Sequence, residues 1–320
     1  MKRDPAHGNS VPRVSDTARD REQAAPLPPR PLALRAGVPD PADVITSYRA
    51  VGRDSRTTIL QLLATEGVEF HFAPGTRVLD FGCGSGKVMR HFLPEAEVSE
   101  LWGCDIDRPS IAWINAELNP PLHAFTNGVA PPLDQADASF DLVWSVSVFT
   151  HLTDHWAGWL AELHRVLRPG GLAIISFLGG AMYEVWTGQS WEPDEIGMTV
   201  LDHGQGWEVG GPTVFHSPWW LRAHWGRAFE IVQMREGSAP REHGLVLLRR
   251  RPGVDVTPEL LERIDAAREP RELAALRKQV LLLQGESSRL RAQRDALSLT
   301  DARRLPRRVA GRLGQIRRGH

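Results

Sequence analysis

The stretch Val78-Leu79-Asp80-Phe81-Gly82-Cys83-Gly84-Ser85-Gly86 decides the fold, because the rest of the chain falls into register around it. Thr76 to Phe81 is an apolar, strand-favouring run. Glycines then stand at Gly82, Gly84 and Gly86, and apolar residues resume at helical spacing from Val88 to Leu93. The pattern predicts a strand, a tight loop and a helix. Glycine accepts positive φ and lets a ligand approach backbone that a Cβ would hold away. The helix start behind the loop presents N–H groups without helical partners, so the loop is expected to hold a cofactor. A Walker A phosphate loop is excluded, since Gly86-Lys87 is followed by Val88 rather than Ser or Thr. The dinucleotide pattern G-x-G-x-x-G needs glycine where Lys87 stands, which weakens a nicotinamide-dependent oxidoreductase as the alternative enzyme.

The chain has 320 residues, 42% hydrophobic and 24% charged, with a formal net charge of -1. This is the composition of a globular protein without a global pull toward nucleic acid. The two cysteines, Cys83 and Cys104, form no disulfide framework and are expected as small packing residues. Lys2 and Arg3 are not followed by an apolar run, and no stretch reaches membrane-spanning length, so a cytoplasmic location is expected.

Residues 1–41 carry eight prolines among charged and small residues and are expected to be a disordered tail. Residues 42–252 read as one α/β domain. Ile45, Tyr48, Val51, Ile59, Leu62 and Leu63 predict one or two helices ahead of the first strand. After the glycine loop, Leu101 to Asp105 predicts a second strand ending in an acid, 23 positions beyond Gly82. In a doubly wound sheet that places a carboxylate where it can accept both hydroxyl hydrogens of a ribose. Pro109 to Leu118 predicts a helix, Leu122 to Phe125 a strand, Ser139 to Ser145 a strand and Trp156 to Leu167 an amphipathic helix. A turn at Arg168-Pro169-Gly170-Gly171 then leads into a strand from Leu172 to Phe177. The alternation implies a mostly parallel sheet with a ligand cleft at the carboxyl ends of its strands.

Val78 to Gly86, Trp102 to Asp107, Phe140 to Trp144, Ser147-Val148-Phe149-Thr150-His151-Leu152 and Leu167 to Gly171 together resemble the successive motifs of class I S-adenosylmethionine-dependent methyltransferases. The resemblance implies a doubly wound, seven-stranded Rossmann-like sheet, with Phe229 to Met234 and Gly244 to Arg249 as its closing antiparallel pair. It implies that Asp80, Gly82, Cys83, Gly84 and Gly86 hold the methionine part of S-adenosylmethionine. Asp105 would bind the ribose and Ile106 would lie against the adenine, while Asn127 and Gly128 stand where many members carry an adenine-binding acid. Ser145, at the end of the fourth strand, completes the implied set.

Residues 178–228 interrupt the alternation and are expected to form a lid over the acceptor. Six of the chain's eleven tryptophans fall there, Trp186, Trp191, Trp207, Trp219, Trp220 and Trp225. Most are expected in the lid's own core, with one or two reaching the cleft to stack on an acceptor. Ser217-Pro218 predicts a helix start. Methyl transfer is an in-line displacement in which the protein aligns the acceptor and excludes water. An O or N acceptor on a small molecule or glycan that must lose a proton calls for a general base, and His151 is the candidate. His155, His203 and His216 are weaker ones. Asp154, His155 and His151 lack a completing acidic cluster, and no metal is expected.

Residues 255–300 predict a helical arm. Leu273, Leu276, Val280, Leu283, Leu290 and Leu297 follow heptad spacing, interrupted by Ser287 and Arg294, and are expected to form a coiled-coil homodimer. Residues 301–320 hold seven arginines, a basic tail able to touch nucleic acid or anionic membrane, though it lacks aromatics for base stacking. A catalytically silent methyltransferase fold that recruits partners through this arm is the non-enzymatic alternative.

Overall fold

The computed structural model of the chain describes residues 24–37, 40–207, 210–237 and 242–304. Two helices, α1 (Arg30–Arg35) and α2 (Val44–Leu63), precede strand β1 (Arg77–Phe81). The Asp43 side chain caps α2 by accepting from the Thr46 N–H, satisfying one free donor of its first turn. Behind the glycine loop the chain makes a 3-10 turn (Met89–Phe92) and one short turn of helix, α3 (Leu93–Ala96), where the sequence predicts a regular helix. Pro94 supplies the reason: it has no N–H to continue a helix begun at Val88, and it serves instead in the first turn of a new one.

Next come β2 (Glu100–Asp105), α4 (Arg108–Glu117), β3 (Leu122–Thr126), β4 (Phe140–Ser145), α5 (Trp156–Val166) and β5 (Leu167–Phe177). The expected turn at residues 168–171 lies inside β5. Leu167 already pairs with Phe140, and the register then shifts to Leu142 opposite Leu172. The Arg168-Pro169-Gly170-Gly171 run is thus an irregularity within one long strand, accommodated by Gly170 at φ 77°. Residues 178–228, the expected lid, contain α6 (Gly180–Thr187), β6 (Met198–Leu201), β7 (Thr213–His216) and α7 (Pro218–His224). Ser217 caps α7 through the Trp220 N–H, with Pro218 at the helix start, as the sequence predicts. The chain closes with β8 (Phe229–Arg235), β9 (Gly244–Arg250), α8 (Pro258–Glu262) and the long arm α9 (Arg271–Arg304).

The main sheet has the order β3-β2-β1-β4-β5-β9-β8, parallel from β3 to β5 and antiparallel through β9 and β8. The chain steps outward in one direction from β1 and in the other from β4, which opens a crevice at their carboxyl ends. Both faces of the sheet are covered, so the strands read as continuous apolar runs. Val78, Leu142, Ile174 and Leu247 face Ile59 and Phe92 in one layer. Leu79, Val143, Ala173 and Leu248 face Trp159 and Leu160 of α5 in the other. Each such aliphatic side chain contributes about 1.5–3 kcal/mol on burial. Among the described residues no helix is long and apolar enough to cross a membrane.

The expectation of disorder through residue 41 fails for the described part of that segment. Arg90, almost fully buried, donates to the carbonyls of Ala25 and Pro26, both at 2.8 Å. The Ser85 hydroxyl donates to Leu32 O at 3.3 Å, and Ala33 is buried with Tyr48 and Val44. Composition predicts low core content, yet the backbone carbonyls of this strap accept hydrogen bonds from cations of the domain, an interaction that no count of apolar residues reveals. Residues 1–23 and 305–320, most of the expected basic tail included, lie outside the described residues.

Removing the strap leaves Arg90 and Lys87 without these acceptors, at a cost of about 1–3 kcal/mol for each buried polar group left unpaired. A chain beginning at residue 40 is expected to melt about 4–10 °C below the full chain in differential scanning calorimetry. Equal melting temperatures would contradict a stabilising role for the strap.

Candidate active site

The donor side of the cleft is built on the loop after β1. Gly82, Gly84 and Gly86 all take positive φ, at 79°, 53° and 81°. Gly82 and Cys83 both donate their N–H groups to Cys104 O, at 2.8 and 3.0 Å, which pins the loop over the end of β2. A Cβ on Gly82 would stand 2.1 Å from Val148 Cγ2, so the loop after β4 packs against bare backbone. Asp105 ends β2 as the sequence predicts. Its two oxygens accept from the N–H groups of Gly84 and Asp107, each at 2.8 Å, and each oxygen retains a further lone pair. Burial raises its pKa. Ile106 follows half-buried, and Asp107 accepts from Ser110 Oγ at 2.5 Å and pairs with Arg35 at 3.0 Å.

Several expected site residues carry buried polar atoms with no protein partner among the described residues. These are Asp80 Oδ2, Ser145 Oγ and Asn127 Oδ1. Asn127 donates its Nδ2 to Gly128 O at 2.8 Å, and its own N–H to Asp105 O at 3.2 Å, so the free Oδ1 is held in a fixed direction. Unpaired buried acceptors of this kind cost free energy in the empty cleft and gain it when a ligand supplies donors. Burial pushes the Asp80 carboxyl up to about 7, and pushes the Cys83 and Cys104 thiols well above their ordinary value, so both stay protonated and inert.

Lys87, which the sequence offers only as an obstacle to a pyrophosphate, has a structural task. Its Nζ donates to Ala36 O at 2.5 Å and Gly37 O at 2.7 Å, just past the carboxyl end of α1. Burial lowers it to about 8, opposed by the charge of Asp80. Tyr48 donates its hydroxyl to Ser85 O at 2.8 Å, tying α2 to the same loop. With Ala36 Cβ within 3.4 Å of the position a Gly84 Cβ would take, the strap seals this side of the loop from water.

The segment 147–152, expected on the acceptor side, follows β4 and packs against Gly82 through Val148. Ser147, at φ 65°, donates its N–H to Ser176 Oγ at 2.7 Å. Thr150 O accepts from Val214 N–H at 2.8 Å, and His151 Nδ1 lies 2.8 Å from Pro212 O, so β7 and the residue before it clamp the segment. A carbonyl only accepts, which places the proton on Nδ1 and leaves the lone pair on Nε2. Partial desolvation by the surrounding chain lowers the His151 pKa, although its side chain keeps contact with solvent. His243 was not anticipated. It precedes β9, whose antiparallel pairing of Gly244 with Phe177 returns it to the cleft edge, with Nδ1 3.4 Å from Ser176 Oγ. Burial, then the charges of Lys87 and His151, lower it to about 4. The signal available in the sequence was its place one residue ahead of an antiparallel closing strand.

The remaining candidates scatter. His216 is fully buried beside Trp220 and Trp225, inside the lid rather than at the cleft, and burial lowers it to about 3. His203 faces Asp154 at 3.4 Å, and His155 precedes α5 without capping it through its side chain. Trp219, Trp220 and Trp225 belong to the core, Trp191 packs over Gly180, and Trp186 and Trp207 are exposed. Trp207 lies on the turn beside His151: a Cβ on Gly211 would lie 3.5 Å from His151 Nδ1 and 3.7 Å from Trp207 Cα. Among the described residues no group of three His, Cys, Asp or Glu side chains is placed to hold a metal.

The raised Asp80 pKa has a measurable sign. A carboxyl whose folded pKa of about 7 lies above its ordinary 3.8 stabilises the fold most at low pH, and the contribution is lost as pH rises to 7. Between pH 5 and 7.5 the unfolding free energy of the wild type is expected to fall relative to Asp80→Asn by on the order of 2 kcal/mol. Paired urea titrations check this, and a pH-independent difference would refute a buried, protonated Asp80.

Residues 79–175 match the family described as "Methyltransferase domain". Over 104 residues the chain is 35% identical to the phthiotriol/phenolphthiotriol dimycocerosates methyltransferase 1 of Mycobacterium ulcerans, covering 32% of this chain and 38% of that protein. It is 38% identical over 105 residues to the 2-methyl-6-phytyl-1,4-hydroquinone methyltransferase of a Synechocystis strain, 32% of each chain. It is 34% identical over 110 residues to the 27-O-demethylrifamycin SV methyltransferase of Amycolatopsis mediterranei, 32% of this chain and 39% of that one. The matches therefore span less than two fifths of the relatives' length. The family match spans the glycine loop, Asp105, Asn127 and Ser145, and the cradle without room for a Cβ and the orphaned acceptors fit S-adenosylmethionine as the cofactor. Residues 79–175 are thus a methyltransferase domain of the class I S-adenosylmethionine-dependent kind.

Proposed function

We propose that this protein transfers a methyl group from S-adenosylmethionine to an O or N atom of a small molecule or glycan, with His151 as the general base. The observation that carries the reading is the Pro212 carbonyl fixing the His151 tautomer, since it leaves a basic Nε2 on the segment between the lid and the cofactor loop. Two of the similar proteins are named for a hydroquinone and for a rifamycin, small molecules in both cases.

The cofactor, when bound, supplies an electrophilic methyl group on its sulfonium. In this reading the chain's own residues hold it by complementary atoms. Asp80 and the Gly82 to Gly86 loop take the methionine part, and the spare lone pairs of Asp105 take the ribose hydroxyls. Ile106 lies against the adenine, whose amino group donates to Asn127 Oδ1. Ser145 offers its free hydroxyl at the end of β4. The strap and Lys87 exclude water from the loop. The acceptor proton passes to His151 Nε2, and His243, neutral at working pH, offers an uncharged hydrogen-bonding partner. Two uncharged imidazoles favour a neutral acceptor that loses its proton during transfer over one that arrives as an anion.

Isothermal titration with S-adenosylhomocysteine is expected to show one site. Asp105→Asn should weaken binding about 10- to 100-fold, because one carboxylate acceptor and the charge are lost while the side-chain shape is kept. Unchanged affinity would remove Asp105 from the ribose site. Labelled S-adenosylmethionine and a fractionated cell extract identify the acceptor. With it, His151→Asn is expected to lower kcat by about 100- to 10,000-fold with cofactor affinity intact. The wild-type rate should be level above pH 6.5, because His151 titrates below its ordinary 6.5. A rate still rising steeply above that pH would exclude His151 as the base.

A further inference from the structure

Helix α9 runs for 34 residues, on the order of 50 Å, and its first half is docked on the lid. Glu272 and Ala275 are buried, and Gln279 grips the edge of β6, donating Nε2 to Val200 O at 3.1 Å and accepting from Val200 N at 2.9 Å. Lys278 pairs with Glu195 at 3.3 Å and Arg289 with Asp202 at 3.8 Å. Leu276, Val280, Leu283, Leu290 and Leu297 lie on a different face, from 36% to 68% exposed. At 100° per residue the centre of that face is turned on the order of 50–80° from the docked one, and its side chains keep much of their surface exposed.

We propose that this face pairs, parallel and in register, with the same helix of a second copy of the chain. The charge pattern selects both the occupant and its direction. With Val280 and Ser287 at a and Leu276, Leu283 and Leu290 at d, a parallel pair brings each g residue to the e position five residues on in its partner. Glu286 then meets Arg291 of the partner subunit, and the flanking e and g positions bring no like charges together. An antiparallel pair matches e with e, setting the Arg277 and Arg291 flank against itself. Ser287 and Arg294 sit at the seam, lowering affinity while fixing register, as polar seam residues do. A groove of about 380 Å³ between the lid turn at His203 and Leu283, Ser287 and Leu290 flanks the seam. The partner helix therefore also covers the lid turn.

Light scattering on the full chain at micromolar concentration is expected to give twice the chain mass of 35.6 kDa. The double variant Leu283→Glu/Leu290→Glu should be monomeric, with helical content and S-adenosylhomocysteine binding retained. Leu281→Glu, more exposed and off the seam, should remain dimeric. Leu283→Cys and Leu297→Cys, introduced singly, should each form an interchain disulfide, since Cys83 and Cys104 are buried. An antiparallel pair can bring at most one of these positions against its own copy. A monomeric wild type, a dimeric double variant, or crosslinking at only one of the two positions would overturn the proposal. Cofactor binding, measured on the same variants, is independent of all three outcomes.

Discussion

The contact on which the cleft depends is the approach of Val148 to the backbone of Gly82. A Cβ would stand 2.1 Å from the valine methyl, so no other residue fits between the end of β1 and the segment after β4. That approach joins the two halves of the doubly wound sheet at its switch point. It puts the loop that cradles the cofactor in direct packing with the segment that bears His151. Donor and acceptor sides are thereby fixed by packing rather than by a flexible linker, which is what an in-line displacement requires.

The cleft is built with unsatisfied groups on one side and anchored ones on the other. Asp80, Ser145 and Asn127 each keep a buried acceptor unpaired, and Asp80 responds by holding its proton to about 7. Lys87 and Arg90 are instead held by carbonyls of the strap, and the Asp105 carboxylate is anchored by two backbone N–H groups that leave it one lone pair on each oxygen. The first group is where a ligand gains hydrogen bonds that the protein does not make for itself. The second fixes the frame against which that ligand is read.

Most of the sheet was legible because its signals are local. β1, β2 and β4 announce themselves by apolar runs, Gly82 to Gly86 by spacing, and Ser217-Pro218 by cap chemistry. What escaped was set by partners distant in sequence. The strap reads as solvated tail because its stabilisation comes from carbonyls accepting from Lys87 and Arg90, fifty or more residues away. His243 escaped because an antiparallel return, rather than any motif, carries it to Ser176. His216 attracted attention by its place in the lid, yet the aromatic packing of Trp220 and Trp225 buries it out of reach of the cleft.

The arm and the lid are mechanically one piece. Gln279 supplies β6 with the two hydrogen bonds that a neighbouring strand would, so an edge of only four residues is capped by a side chain instead of being left open. β6 pairs with β7, β7 holds Thr150 through Val214, and the carbonyl of Pro212, the residue before β7, orients His151. A force on α9 is therefore transmitted through two short strands and one carbonyl to the candidate base. The sheet carries the cofactor loop by a separate route, through β1 and Cys104. Because Val148, on the same segment as His151, packs against Gly82, restraint of α9 bears on both sides of the crevice through one continuous chain of contacts.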